Sequence, residues 1–295
     1  MNLILTEVCN RGCPYCFAQK QGASAVARCM SMAEVETCID FAVKSGQSEL
    51  RFLGGEPSLH PQFMDLVRLV GRRRLALGIF SNGLWPDAVQ SGMADYLGAN
   101  PGARLGITFN INEPPQPGVA ESPRQAESLR IAGPRGQGGF NIYQQDFDLR
   151  FLGDLIRQFS MKRIIRVGVA SPIVGVENAF LDFAALCVVG RRLVPQALEL
   201  KAQGILLSMD CGVPLCMFSD SDRKTLAQCI PFTDPLSHCD GAIDVGPGLV
   251  VWPCFPLRGL SAEKLTDFGS YKELRTDFAT KMVRNASRHS RFSGQ

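Results

Sequence analysis

Over roughly its first 210 residues the chain alternates strand-like and helix-like segments about six times, and this limits the fold more than any other feature. Residues 2–5, 49–53, 75–80, 104–110, 163–170 and 205–209 are short apolar runs that read as strands. Between them lie segments with apolar residues at helical spacing: 32–45, 61–70, 86–97, 148–159, 177–190 and 195–203. The first helix has a capping box in Ser31 and Glu34 and a stop in Gly46. Strands separated by helices pair in parallel through crossovers. The expected fold is therefore a parallel α/β sheet, either doubly wound or a partial (β/α)6 TIM-like barrel. Functional residues then belong at the C-terminal ends of the strands. Residues 112–144, rich in Pro, Gly, Gln and Ser, read as a long irregular loop and a candidate lid.

The pattern changes near Asp210. Beyond it the segments are short and Cys, Pro and Gly are frequent, so the chain divides into residues 1–208 and a small C-terminal domain, 209–295. No apolar run approaches the ~18–20 residues needed to span a bilayer. Residues 1–6 have neither the basic region nor the long apolar region of a signal peptide. The expected location is cytoplasmic, with no membrane partner. A net charge of +3 with 20% charged residues gives no case for a nucleic-acid partner. Arg72-Arg73-Arg74 and Arg288-His289-Ser290-Arg291 read as solvated faces or a tail. In a reducing compartment the 11 cysteines point to metal or redox chemistry rather than disulfides. Cys38 and Cys187 lie in apolar helical patterns and read as core residues, while Cys29 has no assigned role.

Three cysteines lie together in Cys9-Asn10-Arg11-Gly12-Cys13-Pro14-Tyr15-Cys16, directly after the first strand. Three thiolates on one tight loop can each hold an iron of a cubane and leave the fourth iron open. A structural zinc site wants four protein ligands, and this spacing suits it poorly. The segment resembles the signature of the radical S-adenosylmethionine (SAM) superfamily, including the aromatic Tyr15 before the third cysteine. The resemblance continues at Gly54-Gly55-Glu56-Pro57 after the second strand and at Ser81-Asn82-Gly83 after the third. It implies the partial-barrel form of the fold and a 4Fe–4S cluster on Cys9, Cys13 and Cys16. SAM would bind the open iron, with Tyr15 near its adenine and the Gly-Gly-Glu-Pro segment at its amino group. At the end of the fourth strand Asn110, or alternatively Thr108, would meet the ribose. Arg166 in the fifth strand would pair with the carboxylate.

Five more cysteines follow the sixth strand: Cys211, Cys216, Cys229, Cys239 and Cys254. Residues 243–245 and 249–252 read as a β-hairpin turning at Gly246-Pro247-Gly248, with Cys239 and Cys254 at its feet. The arrangement resembles the SPASM and twitch extensions of radical SAM enzymes. No cysteine follows Cys254, so one second, auxiliary 4Fe–4S cluster is implied, on Cys211, Cys216, Cys239 and Cys254, with Cys229 a substitute ligand. Zinc or unliganded thiols are the alternatives there.

The resemblance thus implies an enzyme. It would cleave SAM reductively to a 5′-deoxyadenosyl radical and abstract hydrogen from a peptidyl residue or a small natural product. A one-electron donor such as flavodoxin or ferredoxin is the implied partner. The first strand starts at Asn2, which leaves no room ahead of it for a leader-binding domain and weighs against a peptide. An iron–sulfur scaffold or redox sensor is the competing class, and the Gly-Gly-Glu-Pro segment argues against it.

Overall fold

The computed structural model describes residues 1–16, 28–111, 120–175, 177–210, 213–231, 242–260 and 263–289. Its frame is one nine-stranded sheet of order β7-β6-β5-β4-β3-β2-β1-β8-β9, open between β7 and β9. Strands β1 (Asn2–Ile4), β2 (Glu49–Leu53), β3 (Ala76–Ser81), β4 (Leu105–Asn110), β5 (Gly136–Ile142), β6 (Ile164–Val169) and β7 (Leu206–Met209) lie in sequence order, each parallel to the next. Helices follow the first six strands: α1 (Met32–Lys44), α2 (Phe63–Arg72), α3 (Asp87–Ala99), α4 (Pro123–Ala132), α5 (Arg150–Gln158) and α6 (Phe183–Ala202). This is a parallel α/β sheet, as the alternation predicts, in the unclosed barrel form that the resemblance implies, with seven parallel strands in place of six.

Alternate strand residues such as Leu50 and Phe52, or Leu77 and Ile79, are buried in the core shared with the apolar helix faces. The capping box at Ser31 and Glu34 forms as read, and Gly46 takes the left-handed φ of 71° that ends the first helix.

Two expectations are corrected. Residues 112–144 are no continuous irregular loop, because they contain α4 and all of β5. Ser122 caps α4 by accepting from the Gln125 N–H, Pro123 occupies its first turn, and Gly133 ends it at a φ of 46°. Gly136, Gly138 and Gly139 lower the strand propensity of β5, and pairing with β4 and β6 on both sides overrides that. The helix expected over 177–190 starts only at Phe183, where Asp182 caps it. It runs through Pro195 to Ala202 as one element.

The expected hairpin is present as β8 (Asp244–Val245) and β9 (Val251–Trp252), with Asp244 opposite Trp252. Strand β8 also pairs in parallel with β1, so the hairpin extends the main sheet. Helices α7 (Asp220–Ala227) and α8 (Tyr271–His289) complete the described α-helices. Among the described residues no helix is long and apolar enough to cross a membrane.

At the β1–β8 join, Asp244 is 1% exposed and accepts from the Asn2 amide at 2.7 Å. Burial drives its carboxyl from 3.8 up to about 7. Between those values the folded chain holds a proton that the unfolded chain has lost. The contribution is therefore fully present below pH 3.8 and is lost as pH rises through about 7. Asp244→Asn keeps the Asn2 bond without the charge. It should raise the melting temperature at pH 8 by removing a penalty of up to about 4 kcal/mol. Melting curves of both proteins from pH 4 to 8 check this, and the gap must close at the acid end.

Candidate functional site

The parallel pairing of β1 and β2 continues past both strands into the first cysteine loop. Leu5 N–H donates to Leu53 O at 2.9 Å, Gly55 N–H to Thr6 O at 2.8 Å, and Glu56 N–H to Val8 O at 2.7 Å. Only glycine permits this approach. A Cβ on Gly54 would stand 2.5 Å from the Thr6 carbonyl oxygen, and one on Gly55 would collide with the Val8 carbonyl. The Gly-Gly pair therefore presses the second strand end against the backbone one residue before Cys9.

Glu56, expected from the resemblance to meet the amino group of SAM, is 1% exposed. Its carboxylate accepts from Ser58 N–H at 3.1 Å, Ser81 Oγ–H at 2.9 Å and Asn82 N–H at 2.8 Å. Burial raises its carboxyl, and these bonds pull the other way. Ser81 in turn accepts from Gly83 N–H and from Trp85 Nε1–H. The Asn82 side-chain amide donates to Asn10 Oδ1 at 2.7 Å, and Asn10 donates to Leu84 O at 3.1 Å. One hydrogen-bonded chain thus joins the cysteine loop, the Gly-Gly-Glu-Pro segment and the Ser-Asn-Gly turn. Pro57, buried, opens the 3-10 turn that follows.

The fourth strand joins through Arg11, whose Nη1 donates to Asn110 O at 3.1 Å and whose other end pairs with Glu121. Asn110 Oδ1 is buried and has no hydrogen-bond partner among the described residues. Thr108 Oγ1 is already engaged, accepting from Gln137 Nε2 at 3.0 Å. Arg166 pairs with Asp210 and lies 4.7 Å from the Phe80 ring centroid.

Cys9, Cys13 and Cys16 are all half-buried at the strand end. Burial pushes the Cys9 thiol up. Its Sγ accepts from Arg11 N–H at 3.4 Å, and Cys16 N–H donates to Cys13 O at 3.0 Å, closing a tight turn. The Cys13 thiol engages the Tyr15 hydroxyl. Among the described residues no three His, Cys, Asp or Glu side chains converge on one point. The fit to an iron–sulfur cluster rests on the donor set of three soft thiols on one short loop, beside an unsatisfied buried acceptor.

Four contacts lie outside the sequence reading. Asn141 hydrogen-bonds the Tyr15 phenol, whose ionisation burial pushes up, and the Tyr143 ring lies 5.1 Å from that of Tyr15. Asn178 donates to Tyr15 O at 3.3 Å, and next to it Ala179 N–H donates to Pro14 O at 2.9 Å. Recognising β5 would have placed Asn141 at a strand end. Asn178 carries no sequence signal.

In the C-terminal region Cys211 and Cys239 lie outside the described residues. Cys216 is exposed and Cys254 half-buried. Cys229 is fully buried in the core, and burial raises its thiol.

An open parallel α/β barrel gathers thiols, glycines and amides at its C-terminal rim, the end at which folds of this kind carry their functional residues. Residues 3–115 match the family described as the radical SAM superfamily. The tungsten-containing aldehyde ferredoxin oxidoreductase cofactor-modifying protein of Pyrococcus furiosus is 39% identical over 83 residues, 28% of this chain and 23% of that protein. A GTP 3′,8-cyclase of Synechocystis is 29% identical over 111 residues, 37% of this chain and 33% of the cyclase. The matched stretches thus span at most about a third of these relatives. Streptococcus suis SuiB shares the fold at a TM-score of 0.62 and 14% identity, over 91% of this chain and 63% of SuiB. The hydrogenase maturase HydG does so at 0.51 and 11%, over 92% and 61%.

Proposed function

We propose that this protein is a radical SAM enzyme in which Cys9, Cys13 and Cys16 hold a 4Fe–4S cluster with one iron open to SAM. When bound, that pair supplies one-electron cleavage of the sulfonium to a 5′-deoxyadenosyl radical, which abstracts hydrogen from substrate. The observation that carries the reading is the hydrogen-bonded chain from Asn10 through Asn82 to Glu56, which fixes three strand ends around the cysteine loop. A scaffold that only stores a cluster has no need of the other two strand ends.

The chain's own groups then bind and orient. The Gly54–Gly55 backbone lines the SAM amino group. Glu56 acts through Ser81 and Asn82 as a positioning residue. Asn110 Oδ1 accepts a ribose hydroxyl, a role supported by its lack of a partner among the described residues and by the engagement of Thr108. Tyr15, held by Asn141, packs at the adenine, and Arg166, steadied by Asp210, meets the carboxylate. Cys211, Cys216, Cys239 and Cys254 hold one auxiliary 4Fe–4S cluster. The burial of Cys229 supports leaving it out. The substrate is a peptidyl residue or a small molecule. A SuiB structure bound to its precursor peptide and the GTP cyclases among the relatives support these two classes. A flavodoxin or ferredoxin supplies the electron.

The test is 5′-deoxyadenosine formation from SAM and dithionite by anaerobically reconstituted protein. No product above a cluster-free control would leave only the scaffold reading. Glu56→Ala strands three donors, Ser58 N–H, Asn82 N–H and Ser81 Oγ–H, at about 1–3 kcal/mol for each that stays buried. It should leave the iron content unchanged and weaken SAM binding at least tenfold by calorimetry. Loss of iron with SAM affinity kept would reverse the roles.

A further inference from the structure

A cavity of about 770 Å³ opens at the other end of the sheet, between the C-terminal ends of α2 and α3. Its lining includes Leu75, Leu77, Leu105 and Arg104, at the N-terminal ends of β3 and β4. Strands of this length put it about 20 Å from the cysteine loop. The volume is that of a small-molecule site. Its floor is apolar, with Leu75, Leu77 and Leu105 each at most 8% exposed. Tyr96 crosses it toward α2, and Gly71 makes that possible, since a Cβ there would collide with the Tyr96 hydroxyl.

The rim is cationic. Arg68, Arg72, Arg74 and Arg104 line the cavity against one carboxylate, Asp95. Arg68 pairs with Asp65, but among the described residues Arg72, Arg74 and Arg104 make no ion pair. Arg73, between two of them, turns away to Asp40 as the solvated-face reading expects. A cation in the last turn of α2 offsets the helix dipole, which accounts for Arg72. It does not account for Arg104, which precedes a strand, or for Arg74. Arg74 holds a left-handed φ of 58° just past the end of α2, the place where glycine is favoured. From that position Arg74 lines the cavity.

We propose that this cavity binds a nucleoside polyphosphate, the base on the leucine floor beside Tyr96 and the phosphates on Arg72, Arg74 and Arg104. An apolar floor under planar cationic forks matches a ligand with one flat apolar end and one polyanionic end. An acidic protein surface would use the arginines and leave the floor unfilled. The cavity is separate from the proposed SAM site, so its occupant is a regulator or second ligand.

The test is calorimetric titration of the full chain with ADP, pyrophosphate and adenosine, with and without saturating SAM. ADP should bind more tightly than either fragment, and SAM should not displace it. Arg104→Gln and Arg74→Gly should each weaken ADP binding about tenfold, the loss expected for one charged hydrogen bond. Arg74→Gly also relieves the left-handed backbone, so its melting temperature should not fall, which separates lost binding from lost folding. No ADP binding, displacement by SAM, or unchanged affinity in both variants would overturn the proposal. Pyrophosphate binding as tightly as ADP would overturn the nucleoside assignment.

Discussion

Cys9→Ala, Cys13→Ala and Cys16→Ala proteins, each reconstituted anaerobically with iron and sulfide, should form no 5′-deoxyadenosine from SAM. Three thiolates are the fewest that hold a cubane with one iron open, so loss of any one removes the electron source. The fold should survive. All three cysteines are only half-buried, and none belongs to the apolar core that the helices and sheet share. The backbone bonds that seat the loop, Gly55 N–H to Thr6 O and Glu56 N–H to Val8 O, use no thiol. Far-UV circular dichroism and melting temperature should stay near those of the unaltered protein while SAM cleavage vanishes. Product from any one variant would remove the cluster assignment for that loop.

The second large effect concerns iron content. The reconstituted protein should carry roughly eight irons and eight sulfides, and the triple Cys9, Cys13 and Cys16 to Ala variant about half of each. The remainder would reside in the region from Cys211 to Cys254. That region is anchored near the proposed SAM site. Arg258 pairs with Glu7, just ahead of Cys9, and Val174 N–H donates to Pro256 O at 3.0 Å. An auxiliary cluster held there could take an electron from a substrate radical. Cys254→Ala should accordingly keep uncoupled 5′-deoxyadenosine formation and lose substrate product. Zinc in place of iron, or no metal at all, would make the C-terminal region a structural element.

The strands that sequence reveals are those whose local signal agrees with their environment. Residues 49–53, ELRFL, alternate charged and large apolar side chains, residues 164–169, IIRVGV, are rich in β-branched ones, and both fold as strands as read. Strand β5 was hidden because its sequence, GQGGFNI, carries three glycines and takes its stability from two neighbouring strands that no local window contains. That omission also hid Asn141 and Tyr143 at the rim. The glycine pair was legible because its close backbone approach demands one residue type, and the cysteine loop because three thiols fall within eight residues. The task of Glu56 was not, since its partners Ser81 and Asn82 lie 25 and 26 residues away. Whether a carboxylate faces a ligand or an interior turn is decided by that tertiary placement.

The pairing of β8 with β1 also sets an order of events during synthesis. Asn2 and Asp244 meet across 242 residues of chain. Strand β2 is translated early and can pair with β1 at once. At ~5–20 residues per second, β8 follows only on the order of ten to forty seconds later. Until then β1, which leads directly into the cysteine loop, is the outer strand of a growing sheet with one row of backbone groups unmet. A nascent chain stalled before residue 244 would present that row to other chains. Iron loading that waits for release from the ribosome would meet a finished sheet.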